Sequence, residues 1–573
     1  MNRLLKKHPA MAWGVLCTAL LFAATWLFFA DMAASKDSML AVRMLKALGD
    51  TALFMAPYWL LRGRWRGTAL IPMWGLSLMY LTDALYFRFN GDSMPLTLLT
   101  QAGNADTPLI SSTLALLRPS DATYLLCPLA ATLLWCLRPV RDAVASAAMT
   151  RRTRLAAMLL SAAVAVAAQA AHSKAYARAI YFANGSHVPL AEATGMRLFR
   201  STADAYCKHA YPLDTSGVAV YMLTELWNTF LLGGDISLTD AERAAFDGYL
   251  RREAACDSLP QRHKNIVFIV VESLNAEAIG THVGGEAVTP VLDSIIGAPG
   301  TISCLRVQPQ VHDGVSADGQ LLYNLGTLPL LNGTASQSAI YGKRLPTLAA
   351  ALDSTHYPIA IFAERGITWK KCEAYSAYGY RRVLTSDSVA TRFDIDAMGH
   401  DAATMAYALE VMPTLPQPFL MQILTISTHY PFHPKTTPPD FQGGNIAGIE
   451  RDYLRCLRYA DASIGRLVDG LRAQGLLDST LLIIASDHHV NMYSGMTPAR
   501  PIAFIAANSG HTERIEDTVH QADVFPTVLD LMGVQSAWRG VGHSMLGPQR
   551  GESDPRQATV SDSLLRSDYF PAL

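Results

Sequence analysis

The stretch STLLIIASDHH, residues 479–489, decides how the second half of this chain folds. Its β-rich apolar run shows no polar alternation, the pattern of a strand buried on both faces of a parallel sheet. The run stops at Asp487-His488. Just upstream, RDYLRCLRYADASIGRLVDGLRAQGL (451–476) sets Leu454, Leu457, Ile464, Leu467, Val468 and Leu471 on one helical face. Similar short runs recur at NIVFIVVE (265–272), PIAIF (358–362), PFLMQILTIS (418–427) and PIAFIAAN (501–508). Strands alternating with amphipathic helices predict βαβ units and a mainly parallel sheet. The pattern closes with the helix DVFPTVLDLMG, which has Pro526 near its start and Gly533 just past its end.

In open sheets of this kind, ligands bind beyond the carboxyl ends of the strands. The first run ends in Glu272, the third leads into His429, and the fourth ends in Asp487-His488. Three of the five predicted strands therefore deliver metal-ligand side chains to one edge. A lone Glu after a strand is usually a solvated or capping residue, and a lone His more often a hydrogen-bonded loop residue. An Asp-His pair after LLIIAS is more informative, because such strands are buried and their ends line clefts. Spacing alone leaves a metal site and a set of ordinary loop residues equally open.

The first half reads differently. Apolar stretches fall near 11–30, 45–61, 68–87, 122–137 and 155–172, and a membrane-spanning helix needs about 20 such residues. The fifth, which is Ala-rich, also suits a buried helix. Arg3, Lys6 and Lys7 precede the first stretch. Arg62, Arg64 and Arg66 separate the second from the third. Arg138, Arg141, Arg151, Arg152 and Arg154 separate the fourth from the fifth. Five crossings put all three basic segments on the cytoplasmic side and everything after about 173 outside. Between the halves, 216–232 and 238–254 read as helices, the second opening on a Thr239/Glu242 capping box. They are expected to form a structural collar.

Composition agrees with a mixed protein. Of 573 residues, 50% are hydrophobic and 17% are charged. A net charge of −1 argues against a nucleic-acid binder, which usually shows a concentrated basic excess. Eight cysteines without CxxC spacing allow one or two disulfides but do not pair them.

The ordered motifs NIVFIVVESLNAEAIG, TPVLDSI, YLRCLRYADASIGRLVDGLRAQGLLDSTLLIIASDHH and ADVFPTVLDLMGV resemble the sulfatase-like branch of the alkaline phosphatase superfamily. With five apolar stretches in front, the chain is most similar to lipoteichoic acid synthases and related phosphoglycerol transferases. The resemblance implies an N-terminal five-helix transmembrane bundle (1–172), a juxtamembrane helical linker (173–264) and an extracytoplasmic α/β/α domain (265–573). It also implies one divalent metal held by Glu272, Ser316, Asp487 and His488. Mn²⁺ suits this oxygen-rich set with a single imidazole, and Mg²⁺ or Zn²⁺ is tolerable. Ser316, in Gly314-Val315-Ser316-Ala317-Asp318-Gly319-Gln320, stands where the family has its nucleophilic threonine. Trp369 and Lys371 stand where the family has a substrate-contacting Trp and Arg, and His429 matches a substrate-contacting histidine. The sulfatase motif C/S-x-P-x-R is absent at Ser316, so sulfate-ester hydrolysis is not expected.

The implied chemistry is transfer of a phosphoglycerol-type headgroup from a membrane phospholipid to a glycan or glycolipid. It would run through a covalent phospho-serine, at the cytoplasmic membrane of a multi-pass protein. A phosphoethanolamine transferase, a phosphodiester or phosphate-ester hydrolase, and a catalytically degenerate anchored binding protein are the alternatives.

Overall fold

The computed structural model describes residues 8–32, 40–90, 93–96, 116–184, 217–230, 236–250, 264–432, 441, 444, 446, 448–490, 500–554 and 556–570. They fall into two compact units. One is built chiefly from Met1–Leu98 and Thr113–Leu232, the other chiefly from Gly233–Tyr493 and Thr497–Leu573.

The first unit is helical: α1 (Pro9–Met32), α2 (Leu40–Met55), α3 (Leu70–Asn90), α4 (Ala122–Cys136), α5 (Arg138–Ser146), α6 (Arg151–Asn184) and α7 (Val218–Phe230). Trp13, Cys17, Leu21 and Phe28 of α1 are buried with Ala47 of α2 and Met73, Leu76 and Tyr80 of α3. Arg88 ties three helix ends together by pairing with Asp31 and with Asp121, where its Nη2 lies 2.7 Å from Oδ1. The Asp50 carboxylate accepts the Val218 and Ala219 N–H groups at 2.9 and 3.3 Å, capping the exposed donors that open α7.

Among the described residues, two helices, Pro9–Asp31 and Arg151–His172, are long and apolar enough to cross a membrane; the α4–α5 region, Pro119–Cys136 followed by Arg138–Ser146 at an 81° bend, raises the number to three if it counts as one span. These correspond to the first, fifth and fourth apolar stretches. The second stretch forms only the 16-residue α2 before the chain tightens into a 3₁₀ turn at Ala56–Leu60. At 1.5 Å per residue that is about 24 Å, short of the hydrocarbon thickness. The third forms the 21-residue α3, where Asp83, Arg88 and hydroxyl side chains lower its apolar character.

The second unit opens with α8 (Asp240–Leu250). Its expected capping box is present: Thr239 N–H donates to Glu242 at 2.7 Å, and Glu242 N–H to Thr239 at 3.3 Å. Next come β1 (Asn265–Val271), α9 (Pro290–Gly297), β2 (Ile302–Gln308), α10 (Ser316–Leu325), β3 (Tyr357–Phe362), α11 (Lys371–Ala377), β4 (Arg382–Leu384) and α12 (His400–Val411). They are followed by β5 (Phe419–Leu424), α13 (Gly448–Ala473), β6 (Thr480–Ser486), β7 (Ile502–Ala507), β8 (Glu513–Ile515), β9 (Val519–His520) and α14 (Val524–Leu531). Among the described residues these nine strands form one sheet in the order β8-β2-β7-β6-β1-β5-β3-β4, with β9 also on β2.

The sheet is parallel except at β7, which runs antiparallel to both β2 and β6. The apolar run 501–508 is thus a strand, but not a βαβ one. All seven β1 residues are buried. Ile266, Phe268 and Val270 face the layer holding α10 and α14, while Val267, Ile269 and Val271 face the layer holding α13. This two-sided burial makes the unit an α/β/α sandwich, and each such side chain contributes about 1.5–3 kcal/mol. Every α13 residue expected on the apolar face lies in that second layer. The N–H groups of Val291 and Leu292 that open α9 are capped from α13 by the buried Asp461 carboxylate, at 3.0 and 2.9 Å.

Cys17, Cys127, Cys136, Cys304, Cys372 and Cys456 are free thiols. Cys207 and Cys256 lie outside the described residues.

Candidate active site

The register between β1 and β6 pairs Val271 with Ser486, so the next residues, Glu272 and Asp487, emerge side by side. Asp487 N–H continues the ladder to Val271 O at 3.2 Å. β5 flanks β1 on its other side and supplies two braces. Glu272 N–H donates to Thr425 Oγ1 at 2.9 Å, and Thr428 Oγ1 donates to the Glu272 carbonyl at 2.5 Å. Both carboxylates are held directly. Ser273 Oγ donates to Glu272 Oε1 at 2.7 Å, and Ser273 N–H donates to Asp487 Oδ1 at 2.9 Å.

His488 folds back onto this pair, with its Nε2 3.2 Å from Glu272 Oε1 and 3.6 Å from Asp487 Oδ2. Its Nδ1 lies 3.0 Å from the His489 carbonyl. A carbonyl can only accept, so Nδ1 keeps its proton in either charge state. Nε2 is the nitrogen that can shed a proton and turn a lone pair to the cluster.

Ser316 opens α10, and its Oγ lies 3.1 Å from His488 Nε2 and 3.4 Å from Glu272 Oε2. Val315 before it is held at φ 43, a strained value for a β-branched residue. Two features fix this loop. Asp318, fully buried, accepts the N–H groups of His312 and Gly314 at 2.8 Å each. Gly319 packs against the end of β6, and a Cβ there would lie 2.3 Å from the Asp487 carbonyl oxygen. Gln521 clamps that carbonyl from the far side, with its Nε2 donating at 2.7 Å.

The four residues expected to share an ion are therefore brought together. Ligand atoms of Glu272, Asp487 and His488 all lie within 4.8 Å of one another, and all three residues are buried. Electrostatics describes the same cluster. Burial pushes Glu272 up, but the charge and hydrogen bond of His488, the His429 charge and the Ser273 hydroxyl together outweigh it and hold the carboxyl below its usual range. Burial and the Glu272 carboxylate push Asp487 up to about 7. Burial opposes the His488 imidazolium, yet Asp487 and Glu272 raise it to about 9. Two carboxylates buried around one imidazole and one hydroxyl form a donor set that a divalent cation fits.

Of the expected substrate contacts, Lys371 and His429 lie close enough to this centre to exchange charge effects with it. Lys371 is buried at the start of α11 and ion-paired to Glu364. Burial opposes its ammonium, but Glu364, by charge and hydrogen bond, together with Glu272 and Asp487 overrides that and raises its pKa. Trp369 sits two residues earlier in a turn at φ 61, half-buried. His429 is half-buried beyond β5, and its charge is felt at Glu272. Its Nδ1 lies 2.6 Å from the Tyr430 carbonyl, so Nε2 is the nitrogen left to exchange protons. Near Ser316 in the chain, His312 pairs with Asp313 at 3.2 Å. Arg381 pairs with Asp353 on the surface at 2.7 Å.

Sequence reasoning singled out neither Asp318, Gln521, Thr425 nor Thr428. Asp318 could have been found, because a carboxylate two residues after a helix-opening serine can reach back to the preceding turn. Gln521, 34 residues beyond Asp487, left no local signal.

Two family models match the chain: Sulfatase over residues 264–534, and the lipoteichoic acid synthase N-terminal domain over residues 1–184. Residues 264–534 are thus similar to the sulfatase family. Residues 1–184 are similar to the corresponding domain of lipoteichoic acid synthases, and such synthases are among the chain's curated relatives. It is 25% identical to lipoteichoic acid synthase 2 of Bacillus subtilis over 296 residues, which cover 48% of this chain and 45% of the relative. It is 25% identical to the lipoteichoic acid synthase of Staphylococcus saprophyticus over 322 residues, covering 51% and 49%. The match thus spans about half the length of these curated relatives. Among solved structures, the lipoteichoic acid synthase LtaP of Listeria monocytogenes aligns with a TM-score of 0.45 at 20% identity, over 54% of this chain and 81% of that one.

Proposed function

We propose that the chain is a phosphotransferase that moves a phosphoglycerol-type headgroup from a membrane phospholipid to a glycan or glycolipid. The observation that carries this reading is the convergence of Ser316 on Glu272, Asp487 and His488, in a chain that also has a lipoteichoic-acid-synthase-type N-terminal domain. Five crossings by 1–172, a linker of 173–264 and an extracytoplasmic catalytic domain of 265–573 belong to the same proposal. They would set the site beside lipid donors on the outer face.

Glu272, Asp487 and His488, with Ser316, would hold one divalent ion, Mn²⁺ by preference. Bound there, such an ion would lower the pKa of the Ser316 hydroxyl and supply positive charge for the phosphoryl oxygens. Ser316, its hydroxyl proton released to solvent when the site is loaded, would then attack phosphorus as the alkoxide. An Oγ–P bond forms, the P–O bond to the lipid glycerol breaks, and His429 gives its Nε2 proton to the departing oxygen. The headgroup is left esterified to Ser316. An acceptor hydroxyl next gives its proton to His429 and attacks the same phosphorus, which returns Ser316 to its starting state. Lys371 would hold a non-bridging oxygen as a point charge and Trp369 would flank the headgroup. To do so, Lys371 must share its ammonium between Glu364 and the substrate.

Mass spectrometry of protein incubated with lipid extract and Mn²⁺ tests this. The expected result is a glycerophosphoryl adduct on Ser316. An adduct of another mass would change the donor, and no adduct on Ser316 would remove the proposed intermediate.

A further inference from the structure

The first unit carries a charge imbalance that the catalytic reading does not use. Segments 56–69 and 137–154 contain eight arginines and one acid, Asp142. Two of the arginines are buried and structural. Arg66 donates to the Val144 and Ala147 carbonyls at 2.6 and 2.9 Å, closing the C-terminal end of α5, and Arg154 donates to the Leu60 carbonyl at 3.0 Å. These bonds gather the two segments onto one face. There Arg62, Arg64, Arg138, Arg151 and Arg152 are exposed and Arg141 is half-exposed, lying 3.7 Å from Asp142.

The depth of this face follows from the helices it belongs to. It sits at the first turns of α1 and α6, the two helices apolar enough to cross a membrane. Tryptophans mark the same level. Trp13 donates to the Arg66 carbonyl at 3.2 Å and packs on Trp135 with ring centres 5.1 Å apart. Trp65 is 72% exposed between Arg64 and Arg66. Tryptophan and arginine crowded at the ends of apolar helices mark headgroup depth. The 81° bend after α4 then turns α5 across the helix ends, as a helix lying in the interface does.

We infer that this arginine collar is a binding surface for the anionic headgroups of phospholipids in the leaflet at these helix ends. The argument is charge complementarity: five exposed guanidinium groups at headgroup depth face a single acid, and lipid phosphates and carboxylates supply the missing negative charge. Each arginine near such a surface weighs about fivefold in the local concentration of anionic lipid. This inference does not depend on the chemistry at Ser316.

The test is the lipid shell of the full-length protein in nanodiscs of phosphatidylcholine mixed with phosphatidylserine, an anionic lipid that is not the proposed donor. The parent protein should enrich phosphatidylserine over the bulk. Replacing Arg138, Arg141, Arg151 and Arg152 together by Gln should lower the enrichment by at least about fivefold, and the same four changed to Lys should restore most of it. If the Gln variant does not fold, Arg151→Gln with Arg152→Gln, beside the matching Lys pair, makes the same comparison. Enrichment unchanged in the Gln variants would overturn the inference. So would complete displacement of the lipid by inorganic phosphate, which would point to a soluble-anion site.

Discussion

Replacing Gly319 by Ala tests whether the site depends on direct contact between α10 and the end of β6. The added Cβ would lie 2.3 Å from the Asp487 carbonyl oxygen and 2.9 Å from its Cα, and real contacts stay beyond 3.0 Å. The obstacle is backbone, held from behind by Gln521, so α10 must retreat by the difference of 3.0 and 2.3, about 0.7 Å. Ser316 rides on that helix. Its Oγ, now 3.1 Å from His488 Nε2, would move to about 3.8 Å, outside hydrogen-bond reach. A displacement approaching 1 Å at a reacting atom costs about a hundredfold in rate. Overpacking should also cost about 1–3 kcal/mol of stability. Turnover of a chromogenic phosphodiester with Mn²⁺, thermal melting and metal titration together measure this. The expected pattern is a large loss of kcat with metal affinity reduced far less, because three of the four proposed ligands, Glu272, Asp487 and His488, do not ride on α10. Normal turnover in a folded Gly319→Ala protein would refute the reasoning, because the close packing would then be irrelevant to the position of Ser316.

Three further outcomes are expected. Ser316→Ala should abolish turnover, whereas Ser316→Thr, which keeps the hydroxyl, should retain it to within about tenfold; equal losses would remove Ser316 as nucleophile. Without metal, Asp487 is held up to about 7 and His488 up to about 9, so both carry protons near pH 6 that metal must displace. Apparent Mn²⁺ affinity should therefore climb between pH 6 and 9, by about tenfold per unit for each proton released, and flatten above; calorimetry showing a flat profile would contradict that ligand set. Asp461→Ala removes the cap from α9 and should lower unfolding free energy by about 1–2 kcal/mol without changing the metal site, as denaturant titration can measure.

The sequence carried the site better than the sheet. Glu272 and the Asp487-His488 pair were legible because each directly follows a run of uninterrupted apolar residues, and such runs end at clefts. Ser316 and the outer residues Trp369, Lys371 and His429 needed the resemblance, since a hydroxyl between two glycines reads locally as a turn. β2 was missed because Ser303, Arg306 and Gln308 interrupt the apolar residues of ISCLRVQ. β4, β8 and β9 are only two or three residues long, too short for any periodicity to register. The antiparallel setting of β7 was hidden for a different reason. A strand buried on both faces has the same composition whichever way it runs, and only its partners, β2 and β6, fix its direction. In the first unit, hydropathy located the helices but not their lengths, because the 3₁₀ turn that follows α2 after Met55 is apolar too.

The brace between Ser273 and Asp487 joins residues 214 positions apart along the chain. Contacts of such long sequence separation form late in folding, after the loop-closure entropy of everything between them has been overcome. A fragment lacking either β1 or β6 cannot assemble half of this centre and keep it. Cation uptake by the nascent protein would therefore report closure of the central sheet, and a chelator would weaken the tertiary fold along with the chemistry.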